Sequence, residues 1–165
     1  MTHEEILRLL RRLTLATNRM DGAYYLFARR RGVNENTLAL LYAIDGGQPH
    51  SQKQVCEEWL IPKTTINTIV RQLEAEGYLT LRHDGRGREK TLCLTPTGMD
   101  YARSILGDIY AAEDAAMEAA LKKFSPAFVD ALEEYTAVLC AEFEARTGGA
   151  PNPKIAADEQ GDRKR

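Results

Sequence analysis

The stretch from Ser51 to Gly98 constrains the fold of this chain more than any other part of it. Its pattern predicts a helix, a tight turn, a second helix ended by Gly77, and two short strands joined by a turn rich in arginine and glycine. Ser51, with Gln54 three positions later, forms a capping-box pattern that starts the first of these helices. The stretch therefore predicts a helix-turn-helix followed by a β-hairpin.

The second helix of this pair is predicted to have one buried and one exposed face. Its apolar residues recur at helical spacing and predict a buried stripe of Ile66, Ile69, Val70 and Leu73. The polar residues left on the other face are Lys63, Thr64, Thr65, Asn67, Thr68 and Arg71. Short hydroxyls allow close approach to phosphates or bases, an asparagine amide can pair with adenine, and an arginine can reach guanine or phosphate. This face predicts DNA contacts, although an ordinary solvated helix face would have a similar composition.

The predicted hairpin carries three arginines, Arg82, Arg86 and Arg88, the last two on a tip flanked by glycines. Such a tip is too polar to pack in a hydrophobic core. The negative potential of a narrow minor groove attracts arginine without any hydrogen bond to a base. A plain solvated turn is the alternative. Because a helix pair precedes the hairpin, the sequence favours a DNA-contacting role for all three arginines.

The charge distribution is compatible with this interpretation, although the whole chain has a net charge of −2. Residues 50–98 have seven cationic and six acidic side chains, whereas residues 99–165 have eight and thirteen. The acidic excess is thus confined to the C-terminal third of the sequence. Because a phosphate-binding face acts over about one Debye length, roughly 8–10 Å, local charge matters more than the total.

Helical periodicity continues on both sides of this stretch. It predicts an amphipathic helix over residues 4–31, a helix over 35–44 capped by Asn34, a helix from Met99 to about Lys123, and a last helix that Ser125-Pro126 caps and that runs to 147. The tail, residues 148–165, has turn-forming and mixed-charge residues and is predicted to be disordered.

Other classes of protein find little support in the sequence. Cys56, Cys93 and Cys140 are widely spaced, which favours small buried thiols in a reducing compartment over a disulfide framework, with a thiol redox switch as the alternative. No apolar run reaches the roughly 18 residues of a membrane span, so we expect a cytoplasmic protein with no membrane association. The three histidines have no metal-ligand spacing, and we expect neither a cofactor or metal nor an enzymatic activity.

The order of these elements, with TTINTIVRQLEAEGYLTLR followed by a basic wing and LTPTG, resembles the MarR family of winged-helix transcriptional regulators over residues 4–146. The resemblance implies a mainly α fold with a small β-hairpin wing. Residues 33–98 would form the winged helix-turn-helix DNA-binding domain, and residues 1–32 and 99–147 the N- and C-terminal dimerisation helices. It makes Arg88 the minor-groove arginine. The family usually has an aspartate two residues earlier, where this chain has Arg86.

The same resemblance implies a homodimer on pseudo-palindromic double-stranded DNA, and a small aromatic or anionic effector. The effector candidates are Arg19, Tyr24, Tyr42 and Tyr101, among a wider set that includes Tyr25, Phe27, Arg29 and Tyr110. Ordinary core packing is the alternative for the aromatics, and a monomeric bundle is the alternative for the dimer. The first hypothesis is a repressor relieved by the effector. The competing one is a winged-helix protein-interaction module that does not bind DNA, which the near-neutral charge of residues 50–98 keeps open.

Overall fold

The computed structural model describes residues 1–46, 49–83 and 90–148. Within these ranges the chain forms six α-helices and three short strands. In chain order they are α1 (His3–Arg30), α2 (Glu35–Asp45), β1 (His50–Ser51), α3 (Gln52–Glu58), α4 (Lys63–Ala75), β2 (Leu79–His83), β3 (Lys90–Leu94), α5 (Pro96–Leu121) and α6 (Ala127–Thr147). The mainly α fold with a winged helix-turn-helix, expected from the sequence, is confirmed.

Side-chain caps explain where several helices begin. Asn34 Oδ1 accepts the Thr37 N–H at 2.8 Å at the start of α2. At the start of α3, Ser51 Oγ accepts the Gln54 N–H at 3.2 Å, while Gln54 Oε1 accepts the Ser51 N–H at 2.7 Å. Each bond satisfies a first-turn donor that has no partner inside the helix. The caps predicted at Asn34 and Ser51 are confirmed.

The predicted start of α5 and the predicted cap of α6 are wrong. α3 ends at Glu58, two residues before Leu60, near which its end was predicted, whereas α5 begins at Pro96, three residues before the predicted start. α6 has Pro126 at its N-cap and no side-chain cap, so Ser125 does not cap it. A Ser-Pro pair before an apolar run fits a cap by residue type, but the bond also requires an extended N-cap backbone, whereas Pro126 has φ −52° and ψ −24°.

The wing is part of a three-stranded antiparallel sheet with the order β1-β3-β2. β2 pairs with β3 from Leu79 opposite Leu94 to His83 opposite Lys90, and His50 of β1 lies opposite Leu92. β1 was not predicted, because two residues are too few to show an alternating pattern. The turn was predicted over residues 83–89, but His83 is the last residue of β2. The rest of that segment, with Arg86 and Arg88, lies outside the described residues.

The chain divides into two compact units, residues 1–109 and 110–165. The first unit holds the core, in which α4 buries the predicted stripe Ile66, Ile69, Val70 and Leu73, each at most 5% exposed. Residues from α2, α3 and α5 are also buried in this unit, including Leu41, Val55 and Leu106. The predicted domain boundaries remain predictions, and the predicted disordered tail from residue 149 onward lies outside the described residues.

The second unit is described from residue 110 to residue 148. α6 has no buried residue, and it ends at Gly148, whose φ of +69° is the left-handed conformation that glycine adopts readily. Within the described ranges, none of the helices combines the length and the apolar character needed to cross a bilayer.

Candidate nucleic-acid interface

α4 presents a polar face on the side opposite its buried stripe. Lys63, Thr64, Thr68 and Arg71 are exposed there, and Thr65 and Asn67 are half-buried. All six sequence-predicted residues therefore share this one helix and remain at least partly accessible. With 13 residues, α4 is about 20 Å long, which is enough to lie along a major groove.

The threonines of this face have different hydrogen-bonding capacity. Thr68 Oγ1 donates to the backbone oxygen of Thr64 at 3.0 Å, so its single hydroxyl hydrogen is already used. The same oxygen can still accept a hydrogen bond from a base amino group. Thr68 is therefore suited to act as an acceptor in this conformation.

A cleft of about 490 Å³ lies beside the start of α4. Its lining comes from α3, α4 and the sheet: Ser51, Gln52, Lys53, Cys56, Glu57, Lys63, Leu81 and Lys90. Lys53 Nζ lies 3.9 Å from Glu57 Oε1, so one carboxylate partly offsets the three ammonium groups. The first turn of α4 has no acidic residue. This edge of the helix is consequently basic, which favours contact with phosphate.

Lys53 and Lys90 were missed by the sequence interpretation. Each stands at the edge of its own element, and neither belongs to a motif. Only folding brings these two residues to the same cleft as Lys63. A helical-wheel projection of α3 could have suggested Lys53 as an outward residue, but no sequence signal joins it to Lys90.

Cys56 lines the same cleft and is half-buried. Burial raises the pKa of its thiol above the ordinary value, and the neighbouring Lys63 ammonium only partly opposes that shift. The thiol form is therefore favoured at neutral pH, and since the thiolate is the reactive species, this environment does not activate the residue.

The wing contributes one described arginine. Arg82 is exposed on β2, opposite Thr91 of β3. Arg86 and Arg88 lie outside the described residues, so their predicted roles remain predictions.

The effector candidates occupy different surroundings. Tyr42 packs against Trp59 with ring centroids 5.6 Å apart, and the Tyr101 ring stacks on Tyr78 at 4.3 Å. Tyr24 is 37% exposed, and Arg19 is exposed on the same helix. A second cleft of about 450 Å³ lies along α1, lined by Leu7, Leu10, Arg11, Thr14, Leu15 and Asn18. Neither this cleft nor the one beside α4 is lined by the four candidates, and their role remains a prediction.

Comparison with known proteins finds a family match over the segment that contains α4. A family model described as MarR family matches residues 31–89. No curated protein matches the chain.

Solved structures with the same fold cover most of the chain. A MarR family regulator from Neisseria meningitidis is 21% identical, with a TM-score of 0.64, covering 84% of this chain and 95% of its own. A MarR family transcriptional regulator from Silicibacter pomeroyi is 20% identical, with a TM-score of 0.63, covering 79% and 94%. A putative MarR family regulator from Listeria monocytogenes, solved in complex with a 26mer DNA, is 18% identical, with a TM-score of 0.62, covering 86% and 95%. At these identities the likeness concerns the fold.

Proposed function

We propose that this chain, which matches the MarR family model over residues 31–89, is a member of that family and a dimeric, sequence-specific DNA-binding transcriptional regulator that acts as a repressor relieved by a small-molecule effector. The observation that carries the proposal is the polar outer face of α4, held outward by a fully buried stripe on its other side. This is the arrangement by which a recognition helix offers side chains to a major groove.

In this proposal the residues of the α4 face make different kinds of contact with DNA. Asn67 and Arg71 read base edges, because an amide pairs with adenine and a guanidinium pairs with guanine or phosphate. Thr64, Thr65 and Thr68 allow the helix to approach closely. Lys63, with Lys53 and Lys90 from the adjoining cleft, contacts the phosphate backbone and fixes the register of the helix.

The arginines of the wing complete the interface in this proposal. Arg82 is exposed one residue before the end of β2 and is assigned to a phosphate. Arg88 is assigned to the minor groove and Arg86 to the adjacent backbone. All three would raise affinity with little dependence on base sequence.

Dimerisation is proposed through α1, α5 and α6. Two copies would then hold their α4 helices about one DNA turn apart, roughly 34 Å, and the target would be a pseudo-palindrome. An aromatic or anionic effector that lowers DNA affinity is assigned to Arg19, Tyr24, Tyr42 and Tyr101. Tyr101 would contribute through the part of its surface that is not stacked on Tyr78.

A selection of genomic DNA fragments by the purified protein tests the function. We expect enrichment of an inverted repeat with half-site centres about 10 base pairs apart. Binding to that repeat is then compared across variants. Arg88→Ala should weaken binding to all sequences and reduce the salt slope by about one, whereas Asn67→Ala should relax base preference at one position in each half-site by about 1–3 kcal/mol.

Arg146→Ala provides a charge-matched control for Arg88→Ala. Arg146 is an exposed arginine on α6, paired with Glu142 at 2.9 Å, and the proposal assigns it no DNA contact. Its removal should leave the salt slope unchanged. A selection that returned no inverted repeat would contradict the regulator proposal and leave the protein-interaction module as the better explanation.

A further inference from the structure

The C-terminal end of α4 closes in a defined hydrogen-bonded loop. The Tyr78 N–H donates to the Leu73 carbonyl at 2.8 Å, and the Gly77 N–H donates to the Glu74 carbonyl at 3.0 Å. Gly77 has a φ of +76°. These bonds form a Schellman motif, in which the residue after the helix adopts the left-handed conformation. The carbonyls of Gly77 and Tyr78 take no part in these two bonds.

Thr95 binds both of those carbonyls. Its N–H donates to the Tyr78 oxygen at 3.0 Å, and its hydroxyl donates to the Gly77 oxygen at 2.7 Å. The same hydroxyl oxygen accepts the Gly98 N–H at 2.9 Å, which is the bond of an N-cap residue at the start of α5. One side chain therefore joins the end of α4 to the beginning of α5.

Two further contacts bring these ends together. Gly98 is buried, and a Cβ at that position would lie 2.7 Å from the Tyr78 carbonyl carbon, which real side chains do not tolerate. One turn further along α5, the Tyr101 ring stacks on Tyr78 with an interplanar angle of 3°. We call Gly77, Tyr78, Thr95, Gly98 and Tyr101 the α4–α5 junction.

We propose that Thr95, Gly98 and Tyr101 are positioning residues for DNA recognition, which set the orientation of α4 by fixing its C-terminal end to α5. The inference rests on the proposed function, because it concerns how the same recognition helix is held. Hydrogen bonds to base edges weaken steeply with distance and angle, so a tilt of α4 reduces affinity even when every contacting side chain is intact.

The test compares Thr95→Val with Thr95→Ser. Valine keeps the shape of threonine but cannot bond Gly77 or Gly98, whereas serine retains both bonds. Affinity for the selected inverted repeat is measured at a temperature where thermal unfolding shows each variant fully folded. We expect Thr95→Val to weaken binding about tenfold, in the lower range of measured couplings between linked sites, and Thr95→Ser to bind like the wild type.

Hydrogen exchange provides a readout that does not depend on DNA. The amides of residues 73–78 should exchange faster in folded Thr95→Val than in the wild type, while the first turn of α4 should be unchanged. Thr97→Val makes the same chemical change at an exposed residue of the first turn of α5 and should affect neither affinity nor exchange. If Thr95→Val does not fold, Tyr101→Leu replaces it, since it removes the stacked ring and keeps an apolar side chain. The same direction of change is expected.

The outcomes separate the two proposals. If the folded junction variant exchanges like the wild type or binds the repeat with wild-type affinity, the positioning inference is overturned while the regulator function stands. If the wild-type protein selects no DNA, the function fails, and faster exchange in the variant still establishes that Thr95 holds the end of α4 in place.

Discussion

Leu60 lies in the turn between α3 and α4. Among the described residues it is the non-glycine residue that has a positive φ, at +51°. This left-handed conformation costs a side-chain-bearing residue about 1–2 kcal/mol. The side chain is 73% exposed, so packing does little to offset that cost. The tight turn therefore holds a strained residue between the two helices of the helix-turn-helix.

Replacing Leu60 by glycine should relieve this strain. We expect Leu60→Gly to raise the free energy of unfolding by roughly 0.5–1 kcal/mol, because the backbone relief exceeds the added entropy of glycine in the unfolded chain. Urea denaturation measures the change. Leu60→Ala removes the same apolar surface but keeps Cβ, so it should not stabilise the protein. An equal gain in both variants would assign the effect to the lost side chain and not to the backbone.

The phenol of Tyr101, in the α4–α5 junction, should make the free energy of unfolding depend on pH. Burial, and next the nearby Glu76 carboxylate, raise the pKa of its phenol above the ordinary value. The folded state therefore favours the neutral phenol. The stability that the folded protein gains from keeping this phenol neutral is fully present below the unfolded-state pKa of about 10. It is lost as the pH rises through the higher folded-state pKa. The free energy of unfolding should therefore fall less steeply above about pH 10 in Tyr101→Phe than in the wild type. Parallel pH profiles in urea would contradict this prediction.

At the scale of whole elements, the sequence predicted those in which apolar residues recur at a regular spacing. α4 was predictable because four apolar residues recur at helical spacing over 13 residues. β1 was not, because it has two residues and forms only by pairing with β3. The outer face of α4 could be named in advance for the same reason as its buried stripe. The cleft beside it could not, since Lys53, Lys63 and Lys90 come from three elements that only tertiary packing brings together.

The helix caps show that residue type alone does not predict a side-chain capping bond. Ser51 forms both bonds of a capping box with Gln54, whereas α6 has no side-chain cap after Ser125. We expect Ser51→Ala to lower the free energy of unfolding by about 1 kcal/mol, the usual cost of a lost N-cap. Ser125→Ala should change it by less than about 0.5 kcal/mol, as at other surface positions. Urea denaturation of both variants checks the pair, and equal losses would show that the capping bond is not what stabilises α3.

At the scale of the whole molecule, apolar side chains remain exposed in both units. In residues 1–109, α1 carries several that are about half exposed: Leu9, Leu15, Met20 and Leu26. In residues 110–148, Phe124, Val138 and Phe143 are more than half exposed. Soluble proteins rarely leave such apolar surface uncovered, and a second copy of the chain would supply the missing partner. The exposed faces therefore support the proposed homodimer.

Leu15 tests this arrangement, because it is 51% exposed and lines the cleft along α1. If α1 lies in the dimer interface, Leu15→Glu should raise the dimer dissociation constant at least about tenfold, since burying a leucine contributes about 1.5–3 kcal/mol and tenfold corresponds to 1.4 kcal/mol. Sedimentation equilibrium measures this constant. Arg71→Gln changes the net charge by the same single unit on the exposed face of α4, away from the helices assigned to dimerisation, and should leave this constant unchanged.

The same variant connects association to recognition. A dimer binds both halves of an inverted repeat with linked sites, whereas a monomer must bind each half-site independently. Near the dissociation constant of the dimer, Leu15→Glu should therefore lose affinity for the full repeat while binding an isolated half-site like the wild type. Equal losses on both DNAs would mean that the substitution disturbs the winged helix itself. A wild-type protein that sediments as a monomer would contradict the dimer, and with it the pseudo-palindromic target.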